Sequence, residues 1–201
     1  MLKFLSALIV TLFLFTLILP IKQVHASGTF QFNWGSNGSS NGQFNYPYGV
    51  AVDSNGNVYV GDFNDSRIQK FDATGNYIST FSSSPSINFA GGAAFDSSGN
   101  IYFPGAESEQ IFEYSPSGSL INHFGIGGSG TGQLNGPYQV ALDSSNNIYV
   151  TNLFNNDVVK FTNGGSYLTQ WSISSPEGIA YSPYNGNLYV SSSSNNKYSR
   201  I

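Results

Sequence analysis

The sequence predicts an all-β chain, a β-propeller of small antiparallel sheets, on three observations. A stretch is written twice: PYGVAVDSNGNVYV at 47–60 returns as PYQVALDSSNNIYV at 137–150. The frame around it recurs at near-constant spacing. Asp53 reappears as Asp96 after 43 residues, as Asp143 after 47 more, and less faithfully as Ser182 after another 39. Finally, no stretch beyond residue 26 sustains a helical period, whereas short runs of β-branched and aromatic residues alternate at period two.

Each copy reads as four strands. The first run is GVAVD, GAAFD, QVALD or GIAYS, and a polar turn follows: SNGN, SSGN, SSNN or PYNGN. The second run is VYVGD, IYFPG, IYVTN or LYVSS, and the third is RIQKFD, QIFEYS, DVVKFT or KYSRI. A fourth, in three copies, reads YISTF, SLINHF and YLTQW. Four short strands per unit of about 40–45 residues is the signature of a propeller blade. One blade cannot bury both of its faces, so blades must stack side by side. The expected blades span about 47–81, 90–124, 137–171 and 176–201.

The N-terminus is of another kind. Residues 1–26 open with a lysine, run apolar from Phe4 to Ile21 and end in Val24-His25-Ala26, the grammar of a signal peptide cleaved before Ser27. The expected location is secreted, with anchoring to a membrane by residues 4–21 as the alternative. The propeller then occupies 27–201.

Without Lys3 and Lys22 the chain keeps five cations against eleven acids. That balance cannot neutralise a row of phosphates, so nucleic acid is not an expected partner. The chain has no cysteine, which excludes disulfides and thiolate metal sites.

Residues 47–81, PYGVAVDSNGNVYVGDFNDSRIQKFDATGNYISTF, resemble an NHL repeat almost position for position. The resemblance covers nearly the whole chain after the leader and is weakest in the fourth copy. It implies a propeller, which in that family usually has six blades. Residues 29–34 align ninety residues ahead of a fourth strand, so they are expected to be an outermost strand that completes a blade. Four blades closing on themselves, or the front of a longer ring, both fit this pattern.

Candidate chemistry is sparse. GIGGSG at 125–130 fits a dinucleotide fingerprint but lacks the following helix that binding requires, and reads as a link between blades. The Asp53, Asp96 and Asp143 turns resemble the start of a calcium loop. The twelfth positions, Asn64, Glu107 and Phe154, supply an acid only once, so the turns read as Asx-stabilised hairpins with Gly or Asn at positive φ. Asn37-Gly38-Ser39 and Asn64-Asp65-Ser66 are glycosylation sequons on expected loops.

Only His123 remains after the leader, on an expected outermost strand, so no base–acid pair or multi-histidine metal site can be assembled around it. Asp62, Asn64 and Arg67, spaced Asp-x-Asn-x-x-Arg, resemble the family's loop residues of those types and are expected to brace a loop. The other copies replace Arg67 by Gln110, Asp157 and Lys197, an exchange no catalytic group would tolerate.

The first residues of the innermost strands are Tyr48, Gly91, Tyr138 and Glu177. Tyr48, Tyr138 and Glu177 are therefore the candidate binding residues. No catalytic residue, metal or cofactor is assigned. The sequence reads as a non-catalytic scaffold for a protein, peptide or glycan. A propeller enzyme of the streptogramin-lyase or gluconolactonase type stands as an alternative that the resemblance implies, and a membrane-anchored extracellular sensor as one that an uncleaved N-terminal segment would imply.

Overall fold

Period-two alternation becomes a row of stacked sheets. A computed structural model describes residues 32–82, 91–194 and 197–201. The sheets lie in the unit Asn33–Ile201. The leader and residues 29–31 lie outside the described residues.

A short parallel pair, β1 (Ser36–Asn37) and β2 (Gln43–Phe44), precedes the blades. Blade 1 is β3 (Pro47–Val52), β4 (Val58–Asp62), β5 (Arg67–Phe71) and β6 (Tyr77–Ser82). Blade 2 is β7 (Ala94–Phe95), β8 (Ile101–Gly105), β9 (Gln110–Tyr114) and β10 (Leu120–Phe124). Blade 3 is β11 (Pro137–Leu142), β12 (Ile148–Asn152), β13 (Asp157–Phe161) and β14 (Tyr167–Ser172). The fourth sheet holds three strands, β15 (Pro176–Tyr181), β16 (Leu188–Ser192) and β17 (Lys197–Arg200). Within every blade the strands pair antiparallel in chain order, and the described residues contain no helix.

The hairpin turns follow from their side chains. Asp53 Oδ1 accepts the amides of Asn55 and Asn57, both at 2.9 Å, and Asn57 Nδ2 donates to Oδ2 at 2.8 Å. Asp96 does the same with Ser98 and Asn100, and Asp143 with Ser145 and Asn147. Gly56, Gly99 and Asn146 take φ of 83°, 84° and 60° in these turns, the left-handed conformation that Gly and Asn tolerate best. The carboxylates are thus occupied by their own backbone.

Blades join through alternate faces. Tyr59 and Ile68 of blade 1 pack with Ile101, Phe103 and Phe112 of blade 2. Tyr102 and Ile111 of blade 2 pack in the same way with Ile148, Val150 and Val159 of blade 3. Ala141, Tyr149 and Val158 of blade 3 then pack with Ile179, Leu188 and Val190 of blade 4. These are the buried residues of the core.

The first strands approach so closely that side chains are excluded. A Cβ on Gly49 would lie 1.7 Å from the Gly91 carbonyl oxygen, and one on Gly91 would lie 1.8 Å from that of Tyr138. The approach also shortens β7, which begins only at Ala94 although the sequence places a strand throughout GAAFD. The Gly92 carbonyl instead accepts the Val140 amide across the join, at 3.4 Å.

Residues 32–34 belong to no strand, which corrects the expectation of an outermost strand at 29–34 for its described part. Trp34 lies against Phe71, with ring centroids 6.1 Å apart, and over Gly75. That is the place Phe124 takes against Phe161 and Gly165 in blade 3, ninety residues on. The side chain keeps its position relative to the following blade while its backbone stays outside a strand.

Gly49→Ala is expected to lower unfolding free energy by about 1–3 kcal/mol, since a carbonyl rather than a flexible side chain must give way. Urea titration of the two proteins measures the difference.

Candidate binding groove

The loops at one end of the sheets are built by a second repeated device. Between the second and third strands the chain turns back and pairs with the segment leading into the first strand. Phe63 and Asn64 donate their amides to the carbonyls of Tyr46 and Asn45, at 3.2 and 3.1 Å. Leu153 and Phe154 donate to Gly136 and Asn135 in the same way, both at 3.1 Å. Side chains from 46–48 and 63 therefore converge, as do those from 136–138 and 153–154.

The braces underneath differ in charge. Arg67 Nε meets Asp62 Oδ2 at 2.9 Å, and its Nη atoms donate to the carbonyls of Ser39, Ser40 and Gln43. Asp62 Oδ1 also accepts the Asn45 amide, and Asn64 Nδ2 donates to Asn45 Oδ1 at 3.1 Å. Asp62, Asn64 and Arg67 thus all hold the loop 39–45. In blade 3 the same positions carry Asn152 and Asp157. Asn152 accepts the Asn135 amide and donates to the Gln133 carbonyl at 2.9 Å and to Asp157 Oδ1 at 2.8 Å. Burial pushes the Asp157 carboxyl above its usual value, against the hydrogen bond from Asn152.

On these braces stands an aromatic groove. Tyr48 and Tyr138, ninety residues apart, meet hydroxyl to hydroxyl with rings nearly perpendicular, at 84° and 5.8 Å between centroids. Tyr46 stacks on Tyr48 at 20° and 6.1 Å, and Phe63 lies 6.2 Å from Tyr46 and 6.4 Å from Tyr48. With Leu153 and Phe154 they line an open cavity of about 260 Å³ whose surface is almost wholly apolar. Tyr46 is 63% exposed and Phe154 69% exposed, so the groove is accessible from solvent.

Tyr46 is also held at φ 66°. The equivalent residues are Gly136 at φ 66° and Ser175 at φ 45°, so the backbone demands a left-handed residue here in each of these blades. A tyrosine at such a site stores about 1–2 kcal/mol that glycine would not. That strain is set against the ring contacts of Tyr46 with Tyr48 and Phe63.

Of the candidate binding residues, Tyr48 and Tyr138 come into direct contact. Glu177 lies on the neighbouring β15, outside the lining of the cavity, and its backbone carbonyl accepts the Thr151 hydroxyl at 3.0 Å. Burial first, then the bond to Tyr48 and the charge of Glu177, push the Tyr138 phenol above its usual value. A phenol kept neutral can exchange hydrogen bonds with a ligand but cannot act as a base near neutral pH. His123 sits exposed on β10 and stacks on Phe112 at 5.8 Å, away from the groove.

Sequence reasoning missed Tyr46, Phe63 and Phe154. Phe154 aligns with Asn64 and Phe63 with Leu153, so the repeat conceals them; only the excess of aromatics beside polar turn residues could have drawn notice.

At the opposite end, Tyr59 donates to Asp53, and Tyr149 to Asp143, while Lys70 and Lys160 sit over the two rings at 5.0 and 4.8 Å. Glu113 replaces the lysine in blade 2 and accepts from Asn100 at 3.1 Å. Burial raises the Asp143 pKa, but hydrogen bonds from Asn147, Tyr149 and Ser145 outweigh it and hold the carboxyl below 3.8.

Comparisons with known proteins agree with this architecture. Residues 44–71 match the NHL repeat family. A 46-residue stretch, 23% of the chain, is 44% identical to Protein lin-41 of Caenorhabditis elegans and covers 4% of that protein. The fold is similar to a catalytically inactive virginiamycin B lyase from Staphylococcus aureus solved with quinupristin, at TM-score 0.64 and 19% identity. That match covers 77% of this chain and 52% of the lyase. It is also similar to a gluconolactonase from Xanthomonas campestris, at TM-score 0.64 and 18% identity, over 80% of this chain and 59% of that one. The chain spans between half and three-fifths of these two solved structures, and at such identities the likeness is one of fold.

Two outcomes are expected. Tyr46→Gly should raise thermal stability, by up to about 1 kcal/mol, by relieving the left-handed tyrosine. Asp143→Ala should lose about 1–3 kcal/mol at neutral pH with its hydrogen bonds. Because the folded carboxyl titrates below its unfolded 3.8, its contribution is present above that pH and fades as pH falls below it. The gap between wild type and variant should therefore narrow in acid, as denaturant titrations from pH 7 to 2.5 would measure.

Proposed function

We propose that this NHL-repeat β-propeller protein is a non-catalytic binding scaffold that takes a protein, peptide or glycan into its aromatic groove. Export through the 1–26 leader would place it outside the cell. The observation that carries the reading is the cluster of exposed Tyr46, Tyr48 and Phe154 with half-buried Phe63 and Tyr138 around an apolar cavity of about 260 Å³. Aromatic side chains present large contact area with few rotatable bonds, and Tyr adds a polar tip. The cavity has room for one flat apolar element, such as the face of a sugar ring or a proline or aromatic side chain. The paired hydroxyls of Tyr48 and Tyr138 stand ready for its polar edge.

A second reading is favoured by the fold likeness to the virginiamycin B lyase and the gluconolactonase. In that case the reacting groups would come from parts of such a ring that this chain does not match. Against it stands the composition of the groove, whose lining holds tyrosine, phenylalanine, leucine, proline, glycine and alanine but no acid or histidine.

The test is a screen of the exported chain against arrays of oligosaccharides and of proline- and aromatic-containing peptides. Binding is expected to weaken at least about 10-fold in Tyr48→Ala and in Phe154→Ala with folding intact. Affinity unchanged in both variants would remove the groove from the function. Turnover of a streptogramin or a lactone by the purified chain would favour the enzyme.

A further inference from the structure

We propose that the aromatic groove takes a trimethylammonium group, the head of a trimethylated lysine on a peptide, among the rings of Tyr46, Tyr48, Phe63, Tyr138 and Phe154. This rests on the binding reading above and names its ligand. The rings wall the cavity from several directions. Tyr48 and Tyr138 stand at 84° to each other, Tyr46 and Phe63 at 63°, and Tyr48 and Phe63 at 48°. The face of an aromatic ring is negative and its edge positive, so rings inclined about one space attract a cation into it.

The surroundings carry the complementary sign. None of the residues lining the cavity is a lysine, arginine or histidine. Glu107 is exposed and follows directly on Ala106, which lines the cavity. The charge of Glu177 acts on Tyr138. Arg67, in the brace underneath, is held by Asp62 at 2.9 Å and Asp65 at 3.2 Å, which offset its charge. Lys70 and Lys160 sit at the opposite end, over Tyr59 and Tyr149.

The lining also selects among cations. A protonated amine brings N–H donors that need acceptors, and the lining side chains offer only the Tyr48 and Tyr138 hydroxyls. Donors buried there without a partner would weaken binding. A trimethylammonium has no N–H, and its charge is spread over methyl groups that an apolar wall accepts. Acids beside the groove disfavour a carrier with an anion close to the head, such as a phosphodiester or a carboxylate. The stem of a lysine is uncharged. Exposed Tyr46 and Phe154 leave the cavity open to solvent, as a side chain carried on a peptide outside it requires.

The experiment titrates the full chain with four probes, followed by nuclear magnetic resonance: N-acetyl-trimethyl-lysine methylamide, its unmethylated lysine counterpart, its neutral analogue with a tert-butyl group in place of trimethylammonium, and choline. The trimethylated probe should bind at least about 10-fold more tightly than the lysine and the neutral analogue, and more tightly than choline. Tyr48→Leu and Phe154→Leu keep an apolar side chain and remove a ring face. Each should lose most of the preference for the charged probe over the neutral one, with thermal unfolding showing that the fold is kept. Glu177→Gln should weaken the trimethylated probe about two- to fivefold at low salt and leave the neutral analogue unchanged.

Equal affinity for the charged and neutral probes overturns the proposal. So does the absence of saturable binding by the trimethylated probe, or a preference unaltered in both leucine variants. Choline bound more tightly than the trimethylated probe overturns the assignment to a peptide. The groove as a binding site is judged separately, since it stands if peptides or oligosaccharides from the array screen depend on Tyr48 and Phe154 when these four probes fail.

Discussion

The structure depends on one tyrosine in each of the first three blades that does two things at once. The rings of Tyr59, Tyr102 and Tyr149 fill the joins between sheets, while their hydroxyls reach the aspartate of their own hairpin turn. A turn that holds its shape through Asp53, Asp96 or Asp143 thus fixes the side chain on which the next blade rests. Local turn chemistry and long-range packing are coupled through a single residue, which is how a chain without disulfides specifies the order and spacing of its sheets.

The loop end uses the opposite economy. Its geometry is constant and its chemistry is not. Arg67 with Asp62 in blade 1 and Asp157 with Asn152 in blade 3 are different in charge, yet each pair holds the segment that leads into the following first strand. Because the backbone hydrogen bonds between the two loop segments persist, side chains at 46, 63 and 154 are free to vary. That freedom is where a site can be built without disturbing the scaffold. Tyr46, at φ 66°, is one such variation: Gly136 and Ser175 take the same left-handed place in other blades.

Much of the fold was legible because the repeat states each blade separately. The Asp-x-x-Gly and Asp-x-x-Asn turns and the strand runs could be read from one copy and checked in the next, whereas the brace residues were legible in the first copy alone. The groove was less so. Tyr48 and Tyr138 could be placed on equivalent strands, but their contact requires the near-touching backbones of Gly49, Gly91 and Tyr138, which no local pattern announces. Glu177 shared their alignment and lies near enough for its charge to act on Tyr138, but it does not line the groove. Residues 32–34, the described part of the expected 29–34 strand, depart from that expectation. The Trp34 ring lies against Phe71 as the aligned Phe124 lies against Phe161, while the backbone at 32–34 takes no strand conformation.

The one-sided packing of the outer sheets has a consequence for how the molecule opens. Blades 2 and 3 are clamped from both sides, whereas blades 1 and 4 each rest on a single neighbour. Among these four blades, loss of order is then expected to work inward from the flanks, with amide protons in β8 and β12 exchanging last. Anything that clasps the flanks slows that unzipping along the whole array, so protection deep in the middle reports on events at the edges.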